Sequence, residues 1–555
     1  MPQQAAKHHK LMIMVGLVRS ARLLSGDMKC SKRNILKKGV GWAATLALVL
    51  LLGAGTALGQ GEAQNDLPLL PGGGVGKARD MSLPDAVFLV VRGNTSIENA
   101  YLDRVVQKFG LEVEEHKFKP DVTFDSSLVR TGTDDDDETD GFSYNTDSND
   151  TQFQARASVS ELVPTGAQFT FSWEFDKTSG DTSGSYSSDD DSTSNTWSIQ
   201  MQQPLLRGGG IDVNMASVRQ ARITEQQNIL ALKGTLIDAV TTTIYDYRSF
   251  LESARQVAIV LRSLNRAYQL LEENKALIAA GRMAKSDLVQ SQSNLANQRI
   301  AYQQTLNDVQ QARLELLRTL NLNKNTKIKP TEMLKLPEVL PTNKQALALA
   351  YANQPAYLQA KLVLESSKQD LILAKNNMLW DLNLLVNYNR TDTNSNDQGN
   401  SNETNWSAGL YLSIPVYGQP RLSRQAQLLS ARSNLLKARN SLRQSNENLQ
   451  IDVDNGLRDL NIKREQVKLS REALRLSQLQ LQNEQEKLKY GRSSNFQVVS
   501  YQLDLANAEN TLLTAEVDYL NSLVALDQTL GTTLNTWRIA FKTQRKSAEK
   551  KVWDR

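Results

Sequence analysis

The stretch AAGRMAKSDLVQSQSNLANQR (279–299) returns as KYGRSSNFQVVSYQLDLANAE (489–509), 210 residues further on and without a gap. Gly281-Arg282 match Gly491-Arg492, Leu288-Val289 match Val498-Val499, and Leu295-Ala296-Asn297 match Leu505-Ala506-Asn507. The same spacing joins Ala221-Arg222 to Ala431-Arg432 and Leu320 to Leu530. Upstream the spacing is 260, which joins Ala86 to Ala346 and Asp121 to Asp381. Such self-similarity defines one supersecondary unit used twice, and it constrains the fold more than local propensity does. The change of spacing adds about fifty residues to the first copy, between 121 and 221.

Each copy reads as a shorter helix, strands, a long helix, a turn and a returning helix. The long segments 211–280 and 421–490 contain no proline, and seventy helical residues make a rod of about 105 Å. In QVKLSREALRLSQLQLQNEQEKL apolar residues recur at steps of three and four, the pattern of a coiled-coil-like seam. The Gly-Arg pairs end these rods, and returning helices are expected over 284–320 and 494–530. Shorter helices are expected over 82–118 and 344–379, so that two short helices end to end run beside each long one. The divisions are a linker at 60–81, repeat 1 at 82–320, a connector at 321–343, repeat 2 at 344–530 and a basic tail at 531–555.

The strand segments alternate with period two. AQFTFSWEF puts Phe169, Phe171, Trp173 and Phe175 on one face, DLNLLVNY groups Leu382, Leu384, Val386 and Tyr388, and WSAGLYLSI groups Trp406, Ala408, Leu410, Leu412 and Ile414. Weaker alternation marks 121–128, 151–159 and 196–203, giving four strands in copy one and two in copy two. The apolar face suits either a soluble sandwich or a lipid-facing barrel. Polar stretches at 130–150, 176–196 and 390–405 read as long loops, opposite the tight turn Pro164-Thr165-Gly166. That asymmetry belongs to outer-membrane barrels. Six strands cannot enclose a water-filled lumen, so a barrel would need several chains. Either all six strands join it, or 121–163 forms an extramembrane hairpin and four do.

Composition excludes several functions. A net charge of +4 does not point to nucleic acid. The chain has three histidines and one cysteine, and His8, His9 and Cys30 all lie in or before an export-signal-like segment (basic 28–39, then VGWAATLALVLLLGAGTALG). Residues 1–59 are therefore expected to be removed, by cleavage after Ala57 or Gly59. No zinc cluster, disulfide framework or Ser/His/Asp set can be built from what remains, so neither a cofactor nor an enzyme activity is expected. The run Asp134–Asp137 lacks an EF-hand's spacing and reads as a solvated loop. PGGGVGK (71–77) lacks the Walker spacing. The tail, with seven basic and two acidic residues, reads as disordered and solubilising.

The paired segments LPDAVFLVVRGNTSIENAYL and QALALAYANQPAYLQAKL, the strand-to-helix exits QPLLRGGG and IPVYGQP, and the two tip sequences together resemble the TolC-like outer-membrane efflux family. The likeness covers nearly the whole mature chain. It implies a mainly α-helical homotrimer with a β-barrel in outer-membrane lipid and an α-helical tunnel through the periplasm. It also implies docking to a periplasmic adaptor (membrane fusion) protein and an inner-membrane RND, ABC or MFS pump, for efflux or type I secretion. Family members commonly have two strands per copy, so the additional hairpin is a departure. Their gate uses acidic residues six and nine positions after the second tip glycine, where this chain has Gln497 and Ser500; the first-copy equivalents are Asp287 and Gln290. Asp287, Arg282 and Arg492 are thus candidate gate residues, against a plain helix-capping role. A pore-less coiled-coil or surface protein is the other function class.

Overall fold

The computed structural model describes residues 79–552 apart from 140–141, 185–187, 333, 335, 337–340, 397–398, 545–547 and 549–550. The expected signal segment lies outside the described residues, all of which belong to a single unit, 76–555.

The first copy contributes β1 (Arg79–Met81), α1 (Leu83–Gly93), α2 (Thr95–His116), β2 (Asp121–Thr139), β3 (Phe142–Leu162), β4 (Gln168–Gly184) and β5 (Ser188–Pro204). It continues with α3 (Ile211–Asn214), α4 (Ala216–Ala279) and α5 (Ser286–Thr319). The second copy runs β6 (Ile328–Pro330), α6 (Asn343–Asn353), α7 (Pro355–Asn376), β7 (Asp381–Ser395), β8 (Gly399–Ser413), α8 (Gln419–Lys489), α9 (Asn495–Leu530) and α10 (Thr533–Thr536).

The shorter helix of each copy is broken rather than continuous. In copy one Asn94 ends α1, and its side chain caps α2 by accepting from Ser96 N (2.9 Å) and Ile97 N (3.2 Å). In copy two the break falls at Gln354, 260 residues on, before Pro355 at the first position of α7. A residue preceding proline is pushed out of the α region, and proline itself suits a first turn.

Six strands form a single antiparallel sheet in the order β2-β3-β4-β5-β7-β8. The two copies are therefore joined by β5 pairing with β7, in register from Ser192 opposite Ser395 to Pro204 opposite Asn383. The stretches expected as loops are largely strand: β2 and β3 pair without interruption from Asp121–Ser160 out to Thr139–Phe142. Ladder pairing satisfies the backbone of a polar ribbon whatever its side chains, which is why polarity alone misread these residues.

The main helical core lies where α1, α4, α5 and β1 meet. Tyr247 is fully buried there; its hydroxyl donates to Met81 O (2.8 Å) and accepts from Thr331 N (3.2 Å). β1 pairs in parallel with β6 of the connector beside it. The basic tail is not free over its described part: Trp537, Ile539 and Phe541 pack on this core, and Tyr101 Oη donates to Lys542 O (3.0 Å). A second core gathers Ala346, Val453, Leu460, Tyr519 and Leu530 from α6, α8 and α9. Among the described residues no helix is long and apolar enough to cross a membrane.

Candidate functional site

Two regions bear on function: the sheet and the hairpin tips. Register puts one apolar face across all six strands. Phe124 lies opposite Ala157, Ala157 opposite Trp173, Trp173 opposite Trp197, Ile199 opposite Tyr388 and Tyr388 opposite Trp406. This face is open, with Phe124 70%, Leu410 68% and Trp406 78% exposed. An uncovered apolar surface of that extent calls for a lipid or protein partner.

The opposite face is polar and tied from strand to strand. Gln154 Nε2 donates to Glu174 (2.8 Å) and Gln152 Nε2 to Asp176 (2.7 Å), while Ser172 bonds Ser198 (2.6 Å) and Thr196 bonds Thr391 (3.0 Å). Below the sheet Asp381, only 16% exposed, receives Arg207 from copy one and Arg424 (3.0 Å) from copy two. A paired, mostly buried carboxylate of this kind anchors the strand ends to the helices.

At the tips the recurrence of Gly-Arg has a geometric cause. Gly281 (φ +71°) and Gly491 (φ +68°) lie in the left-handed region. Gly281 N donates to Ile278 O and Arg282 N to Leu277 O; Gly491 N donates to Leu488 O and Arg492 N to Lys487 O. Both are Schellman-type helix ends, which require a residue free to take positive φ.

The returning helices start differently. Ser494 caps α9 by accepting from Gln497 N (3.2 Å), whereas α5 has no side-chain cap and carries Asp287 in its first turn. Asp287, Gln290, Gln497 and Ser500 are all half-buried, and Arg282 and Arg492 are exposed. Arg282 donates across to Lys489 O (3.3 Å), linking the two tips. Within the protomer no ion pair joins Asp287 to Arg492.

Sequence reasoning missed a buried polar cluster just behind the tips. Asn274, fully buried on α4, donates through Nδ2 to Ser291 Oγ (2.7 Å) and Asn495 Oδ1 (2.7 Å). Asn495 Nδ2 in turn donates to Ser291 Oγ (3.0 Å) and to the carbonyl of Asp287 (3.3 Å). The cluster thus clamps the first hairpin to the start of α9. Its signal was legible: Asn274 follows Ala267, Leu270 and Leu271 at core spacing. At the matching place on α8, Glu484 accepts from Ser493 Oγ (2.5 Å) and Lys487 Nζ (3.1 Å). The Ser493 hydroxyl, then the Lys487 charge, hold its carboxyl below the usual value.

A strand sheet open on its apolar face and continued by long helical hairpins in the same chain defines a class, the outer-membrane proteins that combine barrel strands with helices. The model of the outer membrane efflux protein family matches residues 149–322 and 346–532, one segment in each copy. The chain belongs to that family, and so to the outer membrane. Solved structures agree in fold. The outer-membrane channel OprN superposes with a TM-score of 0.60 at 15% identity, over 81% of this chain and 90% of that one. The CmeC outer membrane channel of Campylobacter jejuni gives 0.61 at 13% identity, over 84% and 90%. The open state of the MtrE outer membrane channel of Neisseria gonorrhoeae gives 0.57 at 14% identity, over 83% and 91%. No curated protein matches the sequence significantly.

Proposed function

We propose that the protein is a passive homotrimeric exit duct, with its sheet in the outer membrane and its hairpins in the periplasm, for efflux or type I secretion. The observation that carries this reading is the sheet. Its apolar face has no cover, its polar face is laced by hydrogen bonds, and its outer strands β2 and β8 are each unpaired along one side. Unpaired edges at membrane depth are untenable in lipid, and closing a ring of copies removes them. Three copies give eighteen strands, all six of each chain taking part, which leaves room for a water-filled lumen. A pore-less rod would have no use for a polar inner sheet face.

The division into two helical repeats, with tips at 281 and 491, suits docking of a periplasmic adaptor and, through it, an RND, ABC or MFS pump. Substrate choice then rests with the pump. Purified protein should run as a trimer by light scattering in detergent and give discrete conductance steps in planar bilayers. A monomer without conductance would sink this reading.

A further inference from the structure

We infer that neighbouring copies of this chain meet through a surface that repeats, residue for residue, the contact between the two halves of one chain. The inference rests on the oligomer proposed above and specifies its strand register and its charge pairs.

Within one chain copy one meets copy two in two places, β5 against β7 and α4 against α9. Carried forward by the repeat spacing, β5 becomes β8 and α4 becomes α8. Carried back, β7 becomes β2 and α9 becomes α5. These are the surfaces that the protomer leaves without a partner: β2 and β8 are the two edges of the sheet, and residues 121–135 and 399–412 are exposed throughout.

The strand register follows from residues that recur. Trp197-Ser198 of β5 return as Trp406-Ser407 of β8, and Arg390-Thr391 of β7 correspond to Arg130-Thr131 of β2. Inside the chain Trp197 lies opposite Arg390 and Thr196 opposite Thr391, the two hydroxyls 3.0 Å apart. Between chains Trp406 therefore lies opposite Arg130, and Asn405 opposite Thr131. The parity is correct, because this register continues the apolar face across the joint: Leu412 meets Phe124 and Ala408 meets Leu128. A shift of one residue would turn that face inward.

The helices give independent support. On the inner seam Arg262 Nη2 meets Glu509 Oε1 at 3.4 Å, and the residues carried to the outer seam are Glu472 and Arg299, the same pair with its charges exchanged. The buried contact of Asn274 with Asn495 (2.7 Å) becomes Glu484 with Lys285, again opposite charges. Ile259, buried between α4 and α9 with Leu513 and Val517, becomes Leu469, which is 62% exposed in the protomer. A surface evolved only for water has no reason to keep such complementarity.

Paired cysteines test the register. In a Cys30→Ser background, Thr131→Cys with Asn405→Cys should oxidise to a reducible ladder ending at the full oligomer. Directly opposed strand residues fall within disulfide reach, and a two-residue offset does not, so Thr131→Cys with Ser407→Cys should stay largely uncrosslinked. An intrachain disulfide would mean that the sheet closes on itself, since its edges otherwise lie about 24 Å apart at the strand spacing. That result, or a ladder from the offset pair in a protein that still scatters as a trimer, overturns the inference and leaves the duct reading intact. A monomer by light scattering overturns both. In parallel, Glu472→Arg should lower the crosslink yield about two- to fivefold, the scale of an exposed ion pair, and adding Arg299→Glu should restore it. Loss without restoration counts against the helix seam.

Discussion

Asp287 is the one acidic side chain among the four positions where the family resemblance implies a gate, and its surroundings separate two roles. Its carbonyl is held by Asn495 at 3.3 Å, while its carboxylate has no ion-pair partner in the protomer. Three such carboxylates near a common axis would focus field on entering cations. Asp287→Ala should therefore weaken cation selectivity and raise single-channel conductance, with trimer assembly unchanged. Unaltered conductance and selectivity would make Asp287 a helix-end residue only. A second test concerns Asp527, half-buried at the end of α9, where burial raises its pKa and hydrogen bonds from Thr532 and Thr536 offset part of that rise. Between its ordinary value near 4 and the raised one, the folded protein binds more protons than the unfolded chain. Stability therefore falls as pH rises through that window, and the deficit is fully present at neutral pH. Asp527→Asn keeps an acceptor for Thr532 without the charge. It should melt higher than wild type at pH 7 by circular dichroism in detergent, and the difference should shrink towards pH 4.

Among the elements, the hairpin ends allow a comparison between glycines of nearly equal φ. An added Cβ at Gly491 (φ +68°) meets nothing within 4 Å, whereas at Gly531 (φ +67°) it meets Asn353 O at 2.5 Å and Asn353 C at 2.7 Å. Gly491→Ala should cost only the left-handed backbone penalty, about 1 kcal/mol. In hydrogen exchange this appears as faster opening confined to the tip. Gly531→Ala adds a collision with backbone and should destabilise the whole second core by thermal melting; equal effects at the two sites would contradict the comparison. The elements also show what the sequence made legible. Both long helices, both tips and the alternation of the six strands could be read because each repeats a period many times. The three-residue pair β1–β6 carries no period at all, and the packing of Trp537, Ile539 and Phe541 was hidden by the basic residues between them. The break at Asn94 was a capping signal inside an otherwise helical pattern. The Asn274–Ser291–Asn495 clamp joins residues more than two hundred positions apart, which no local pattern reports.

For the whole molecule the decisive feature is the hairpin β3–β4, which copy two lacks. Since β2 corresponds to β7 and β5 to β8, removal of residues 140–184 leaves β2 joined to β5 through a short outer turn. The shortened chain should assemble a twelve-stranded ring. With strands 4.8 Å apart and tilted by about 40°, eighteen strands give a Cα ring about 36 Å across and twelve about 24 Å. Projection images of the two proteins in detergent or lipid should differ by that amount; rings of equal width would mean that β3–β4 stands outside the wall.

The strands are also far longer than a crossing requires. About ten residues span a membrane as a tilted strand, and β2 and β3 have 19 and 21. On β2 the apolar side chains stop near Leu128 and Val129, and the ribbon continues through Asp134 and Asp135. Ten further residues at about 3.3 Å each, tilted by about 40°, raise the rim roughly 25 Å above the lipid headgroups. Exported molecules would leave from a turret with an acidic collar, clear of the sugar chains rooted in the outer leaflet. The height of that collar, more than the lipid below it, would decide which large particles outside the cell can touch the mouth of the duct.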